Sequence, residues 1–216
     1  MIKKIVFIML IFFFSLQGVI AKMDIVQLPK PKIIKSVPLD DTLQKRRSIR
    51  SFGGTPLSLQ QISQLLWAAQ GVTNAKGFRT APSAGALYPL ELYIVKTDGV
   101  WHYGVCKHVL HLITNGDMRA ELSKVALNQN AIANAPVDIV ITGIYKRTTK
   151  KYGERGVRYV HMEAGHVAQN ILLEAVGLNL SAVPIGAFHD NQVQTVLQLQ
   201  KDHIPLYIIP VGKNKC

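Results

Sequence analysis

Residues 136–177 limit the fold of this chain more than any other stretch. PVDIVITGIY, opening at Pro136, is an apolar run bounded by its proline and reads as a buried strand. A long helical segment follows, in which His161, Gly165, Ala168, Leu172 and Val176 recur every three to four residues until Gly177 ends it. The neighbouring patterns add to this pair. Ser58 precedes Ile62, Leu65, Leu66 and Ala69 with Gly71 behind them, which predicts a capped amphipathic helix. Leu90–Lys96 and Val100–Val105 read as strands joined through Asp98-Gly99 into a hairpin. Asp117 to about Leu127 reads as a helix, and SAVPIGAF and IPLYIIPVG read as short strands with a helix near Asn191–Leu199 between them. Strands and helices mix without regular βαβ alternation. The predicted class is therefore α+β: one domain around a mostly antiparallel sheet flanked by helices.

The ends read differently. Lys3 and Lys4 precede an almost wholly apolar run from Ile5 to Leu16, followed by the small residues Val19 and Ala21, so residues 1–21 read as a secretory signal peptide. The run is short for a membrane span, which needs about 20 apolar residues, and no span is expected once the signal is cleaved. Residues 22–38, rich in Pro and Lys, read as an extended N-terminal arm, with the domain over 39–216. Removing residues 1–21 takes away two lysines and no acid, so the net charge falls from +12 to +10. Lys and Arg are scattered and lack interleaved stacking aromatics, which argues against nucleic acid and for phosphate-bearing small molecules or an anionic surface. Cys106 and Cys216 are the two cysteines, and their redox state is left open.

Three segments carry groups suited to a phosphate or a flat ring. In QKRRSIRSF, Arg46, Arg47 and Ser48 place forked N–H donors beside a hydroxyl, a set that matches phosphate oxygens or forms a solvated turn. VGKNKC adds Lys213 and Lys215. RTAPSAGALYPLELYIV feeds a strand from a loop of small residues; either it is a turn, or it lets backbone N–H groups and the Ser83 hydroxyl approach a flat ligand. No dinucleotide glycine spacing or P-loop is present. His161, Glu163 and His166 suggest a metal, but His161 and His166 sit roughly 140° apart around a helix, so no metal site is expected. Hydrolase chemistry has no support: there is no nucleophile elbow, and Cys106 falls in a predicted strand without a His partner.

The order of these segments resembles the nitroreductase family of flavoproteins, and more narrowly its SagB/ThcOx-type dehydrogenase branch. RRSIRSF, PLSLQQISQLLWAAQGV, RTAPSAGALYPLELYIV, NQNAIANAPVDIVI and KKYGERGVRYVHMEAGHVAQNILLEAVGLNLSAVPIGAF carry the resemblance in one collinear series over about Leu39–Gly212. It implies a homodimer with FMN at the subunit interface. Arg46, Arg47 and Ser48 match the family's phosphate motif, and Lys213 and Lys215 fall where that site is completed. Pro82, Ser83, Ala84 and Gly85 match the loop that lies along the flavin from the second subunit. Asn128 and Gln129 fall at polar contacts to ring or ribityl chain, and Pro184, Ile185, Gly186 and Ala187 match the strand whose backbone meets the ring. Ala86 departs from the family, which typically carries Asn there.

Lys151-Tyr152 matches a Lys-Tyr motif that serves deprotonation in azoline-oxidising members of the branch. A lysine acts as a base only when neutral, which requires its pKa to fall from about 10.4 through burial or nearby cations such as Lys150 and Arg155. Together with the signal-peptide reading, which places the protein outside the cytoplasm and in the periplasm, the resemblance implies a secreted FMN oxidoreductase exchanging hydride or electrons with a small organic or peptide substrate. The alternatives are a flavin-binding or interaction protein without turnover, and a membrane-surface protein using its positive charge. Reduced nicotinamides are scarce outside the cytoplasm, so a quinone, oxygen or a redox protein is the expected electron partner.

Overall fold

The computed structural model describes residues 24–32 and 37–215; the signal-peptide reading and Cys216 lie outside them. Seven strands, β1 (Ile25–Gln27), β2 (Leu90–Lys96), β3 (Gly99–Gly104), β4 (Val109–Asn115), β5 (Val137–Gly143), β6 (Ser181–Ala182) and β7 (Ile204–Gly212), form one sheet among the described residues. Its order is β1-β4-β3-β2-β5-β7-β6, and every pairing is antiparallel. Helices α1 (Leu39–Lys45), α2 (Leu59–Gln70), α3 (Arg119–Val125), α4 (Asn130–Asn134), α5 (Tyr145–Tyr152), α6 (Arg155–Gly177) and α7 (Asp190–Val196) cover it.

Strand β5 is buried along its whole length, which explains why its sequence reads as an apolar run. Leu92, Ile94, Ile139 and Ile141 pack with Leu65, Leu66, Val167 and Ile171 of α2 and α6 in one core. Tyr93, Val95, Val140 and Ile208 turn the other way onto Leu122, Ile132 and Val193 of α3, α4 and α7. Helix α2 starts at a capping box: Gln61 N–H donates to Ser58 Oγ (3.2 Å) while Ser58 N–H donates to Gln61 Oε1 (2.9 Å). Helix α6, at 23 residues, runs about 35 Å at 1.5 Å per residue and spans the sheet.

Several elements differ from the sequence reading. Residues 24–32 are not a free arm. β1 adds to the sheet edge beside β4, Leu28 is buried in the core, Ser63 Oγ donates to Pro29 O (2.6 Å) and Lys32 N–H donates to Gln64 Oε1 (2.8 Å). The domain therefore begins before Leu39, because a three-residue strand owes its existence to a partner some 80 positions away. β4 and the short helices α1, α4 and α5 have too little periodicity of their own to announce themselves. Cys106 lies exposed in the turn between β3 and β4 rather than in a strand. SAVPIGAF is a strand only at Ser181–Ala182, and after Pro184 it keeps one bridge, Ile185 to Ile208.

Candidate active site

The residues singled out in the sequence gather at two places on opposite sides of α6. At the first, the segment after α1 joins the end of β7. Ser48 bridges Ala182, Ile49 N–H donates to Ala182 O (3.2 Å), Gly53 N–H donates to Lys213 O (2.9 Å) and Phe52 bridges Asn214. Backbone pairing thus brings residues 46–53, 181–182 and 213–215 to one edge. Arg46, Arg47, Lys213 and Lys215 have no ion-pair partner among the described residues. The Arg47 guanidinium is held by the carbonyls of Gln44 and Arg46, at 2.8 Å each, and lines a cavity of about 480 Å³ with Val176, Ser181 and Asn214. Uncompensated guanidinium and ammonium groups beside a hydroxyl suit a phosphate dianion.

From that edge, Pro184–Ala187 runs back along β7. Ile185 and Ile208 exchange both backbone hydrogen bonds, at 2.8 and 2.9 Å. Gln129 Nε2 donates to Ala187 O and Ala126 O, both at 2.9 Å, so its amide clamps the end of this segment instead of offering those N–H groups to a ligand. Asn128 sits beside it in the left-handed region at φ 57°. A Cβ built on Gly186 would meet only the Tyr207 ring, at 3.8 Å, and the backbone there is open to the approach of a flat ring. Gly186 and Tyr207 share a cavity of about 280 Å³ with His161 and Ala164 of α6.

The second place is the loop before β2. Its 3₁₀ turn, Ala84–Ala86, holds Gly85 at φ 63°, and a Cβ there would lie 2.8 Å from Tyr152 Oη and 3.1 Å from Lys151 Nζ. The positive φ favours glycine at this position, and the ends of the Lys151 and Tyr152 side chains, from the end of α5, come against it, so the pair and the loop lie together. Helix α5 is anchored beneath it by Arg147, which pairs with Glu91 (2.6 Å) and donates to Tyr88 O (3.0 Å). Burial works to raise the Glu91 pKa, yet the hydrogen bond from His102 and the charge of Arg147 hold it below the usual carboxylate range.

The Ser83 hydroxyl does not face outward as the sequence suggested. It accepts from Tyr88 N–H (2.9 Å) and hydrogen-bonds the carboxyl of Glu163, which is 3% exposed on α6. Gln70 of α2 donates weakly to the same carboxyl (3.4 Å) and accepts from Arg79 (2.9 Å), whose guanidinium stacks on the Tyr88 ring at 4.3 Å. Burial raises the Glu163 pKa, against the opposing hydrogen bonds of Ser83 and Gln70. This network, which fixes the loop from behind, escaped the sequence reading. Its one visible sign was an acid between Met162 and Ala164 on an otherwise packed helix.

Helix α6 separates the two places. At about 100° per residue, His161 and Ala164, which face Gly186, centre about 180° from Tyr159, Met162, Glu163 and His166, which line a cavity of about 250 Å³ with Pro82–Ala84. Along the axis, Glu163 behind the loop and Val176 beside Arg47 are 13 residues apart, about 20 Å. One ligand of flavin size cannot touch both sets on a single chain.

A seven-stranded antiparallel sheet with this helix arrangement and a cationic edge defines an α+β domain of nitroreductase type. Residues 43–213 match the nitroreductase family profile, and the chain belongs to that family. The nitroreductase-like protein MJ1384 of Methanocaldococcus jannaschii is 45% identical over 194 residues, covering 87% of this chain and 96% of that one. The trifolitoxin operon protein TfxC of Rhizobium leguminosarum bv. trifolii is 25% identical, with 85% of this chain matched to 57% of TfxC. The crystal structure of a nitroreductase-like protein from Ralstonia eutropha JMP134 superposes with a TM-score of 0.81 at 28% identity, covering 89% of this chain and 90% of that one.

Proposed function

We propose that the protein is an FMN-dependent oxidoreductase of the SagB/ThcOx-type branch, acting as a homodimer in which each flavin is shared between two chains. The observation that carries this reading is the partition by α6: the phosphate-binding edge and the small-residue loop are both present, yet on opposite faces of one helix. Two copies resolve the separation, since the edge and Pro184–Ala187 of one protomer can be met by the Pro82–Gly85 loop of its partner. FMN, when bound, supplies hydride acceptance and donation at its ring. The chain's own residues do the rest. Arg46, Arg47, Ser48, Lys213 and Lys215 would hold the phosphate, Gln129 fixes the Pro184–Ala187 segment, and the partner's Pro82–Gly85 loop would bring small residues against the group.

Lys151 and Tyr152, placed by the loop of the same chain, take the proton released as a small organic or peptide substrate gives up hydride. With residues 1–21 as a cleaved signal, the protein is periplasmic, is loaded with FMN there, and passes electrons to a quinone, oxygen or a redox protein.

The test is a comparison of cofactors. Arg46→Ala with Arg47→Ala weakens FMN far more than riboflavin, because each charge-assisted hydrogen bond to phosphate is worth roughly 1.5–3 kcal/mol and riboflavin has none to lose. Equal losses in a flavin-fluorescence titration overturn the assignment of the edge. A protein that binds FMN but never reduces it with any substrate is the non-catalytic alternative.

A further inference from the structure

Between Tyr145 and Arg158 the chain carries Lys146, Arg147, Lys150, Lys151, Arg155 and Arg158 against one acid, Glu154. All six cations are exposed. Arg147 alone is paired, with Glu91; the other five have no carboxylate partner among the described residues. Local helix physics does not account for them. Lys146 and Lys150, at i and i+4, repel across one face of α5. Lys150 and Lys151 at the α5 C-terminus suit the helix dipole, but Arg155 and Arg158 occupy the opening turn of α6, where cations are disfavoured and where that helix carries no acid.

Packing brings these cations onto two abutting helices. A Cβ on Gly156 would lie 2.8 Å from Thr149 N and 2.9 Å from Thr148 C, so the start of α6 abuts α5 directly. Tyr152 and Tyr159 meet edge to face at 5.1 Å between centroids, and Met162 lies exposed beyond them. Arg155 and Arg158 thus sit on the helix packed against the one that carries Lys146, Lys150 and the Lys-Tyr pair, with Tyr152, Tyr159 and Met162 as an aromatic and apolar shelf between them. α5 alone extends about 12 Å, too far for one phosphate to bridge, but the length of about four residues of extended peptide.

We propose that the rim formed by Lys146, Lys150, Arg155 and Arg158 docks an acidic peptide segment of the substrate beside Lys151 and Tyr152. This rests on the oxidoreductase reading above and narrows its substrate class. A bilayer on the same face would close the pair off from substrate, so charge complementarity serves a peptide here and not a lipid surface. The rim steers the encounter electrostatically, an effect worth 10–10³-fold in association rate and lost as salt screens it.

The experiment uses the full mature protein, loaded with FMN, and a rhodamine-labelled probe peptide Glu-Glu-Tyr-Glu-Glu followed by fluorescence anisotropy. The acidic probe binds, its glutamine counterpart binds at least roughly tenfold more weakly, and the difference vanishes toward 1 M salt, where the Debye length is about 3 Å. Lys146→Gln, Lys150→Gln, Arg155→Gln and Arg158→Gln together abolish the preference while the flavin band stays. Equal binding of the two probes by the wild-type protein overturns the proposal without any variant. So does tight binding of phosphatidylglycerol vesicles that the acidic peptide fails to displace. Absence of a flavin band strikes the cofactor reading, while the peptide titration still reads the rim.

Discussion

The two ends of the candidate site are built in contrasting ways. At the phosphate edge, the half-buried Arg46 and the exposed Arg47, Lys213 and Lys215 are gathered by backbone bridges, and none of them forms an ion pair among the described residues. At the loop end, the polar groups face inward: Ser83, Tyr88, Arg79, Gln70 and Glu163 satisfy one another behind a surface of small residues. Their buried carboxyls differ in the same sense. Glu163 is hydrogen-bonded, whereas Asp138, fully buried on β5 toward the phosphate edge, has no partner for either oxygen among the described residues. One end leaves its charges unpaired, and the other satisfies its polar groups internally.

This contrast breaks most sharply at Lys151. On the proposed division of labour, Lys151→Ala leaves the flavin spectrum and the dimer intact but lowers substrate-driven reduction by roughly 10²–10⁴, the span of general-base catalysis. Stopped-flow reduction with the natural substrate measures it; an unchanged rate would leave the loop end with binding alone.

The next largest effect is at Glu163. Glu163→Ala strands buried donors and costs about 1–3 kcal/mol, read as a lower denaturation midpoint together with faster proteolysis in the Pro82–Gly85 loop. Glu163→Gln is milder and informative about pH. Burial raises this carboxyl's pKa in the folded protein, so the folded state binds the proton more tightly than the unfolded chain, and stability falls as pH rises through and above the ordinary carboxylate range. In Glu163→Gln that fall is shallower.

Asp138 follows the same sign more strongly, since burial raises its pKa well above the ordinary value despite the opposing charge of Arg119. Asp138→Asn removes the ionisation and raises Tm at neutral pH while changing little at pH 4, each ~1 kcal/mol gained reading as about 2–4 °C. A variant no more stable at neutral pH than at pH 4 removes the difference drawn between the two carboxyls. The smallest effect falls on Ala86, which holds φ 53° in the loop. Asn tolerates that left-handed conformation better than Ala, and Ala86→Asn is expected to raise stability by under about 1 kcal/mol, measured by calorimetry.

The contrast also explains what the sequence disclosed. Arg46-Arg47-Ser48 and the terminal lysines stand out in the sequence as cations, whereas their meeting at one edge depends on backbone bridges; the α2 cap, the β2–β3 hairpin, β5 and α6 carry their own periodicity. The loop was legible as small but not as fixed, since its network draws Gln70 and Glu163 from helices 93 positions apart. Only the fold puts them together. β1 and β4 were missed for the same physical reason: a short strand with mixed polarity is decided by its neighbour across the ladder. The sequence around Lys151-Tyr152 carries no periodicity of its own, and the close backbone approach of Gly156 to Thr149 fixes how α5 meets α6.

The partition by α6 has a genetic consequence. A chain that carries both half-sites on opposite faces of one helix is, on the proposed dimer, half of two sites and the whole of none. Damage to the phosphate edge in one copy and to Lys151 in another then falls on the same site of the mixed pair, and the remaining site is made only of intact halves. Two inactive alleles restore each other when coexpressed, though neither chain is repaired.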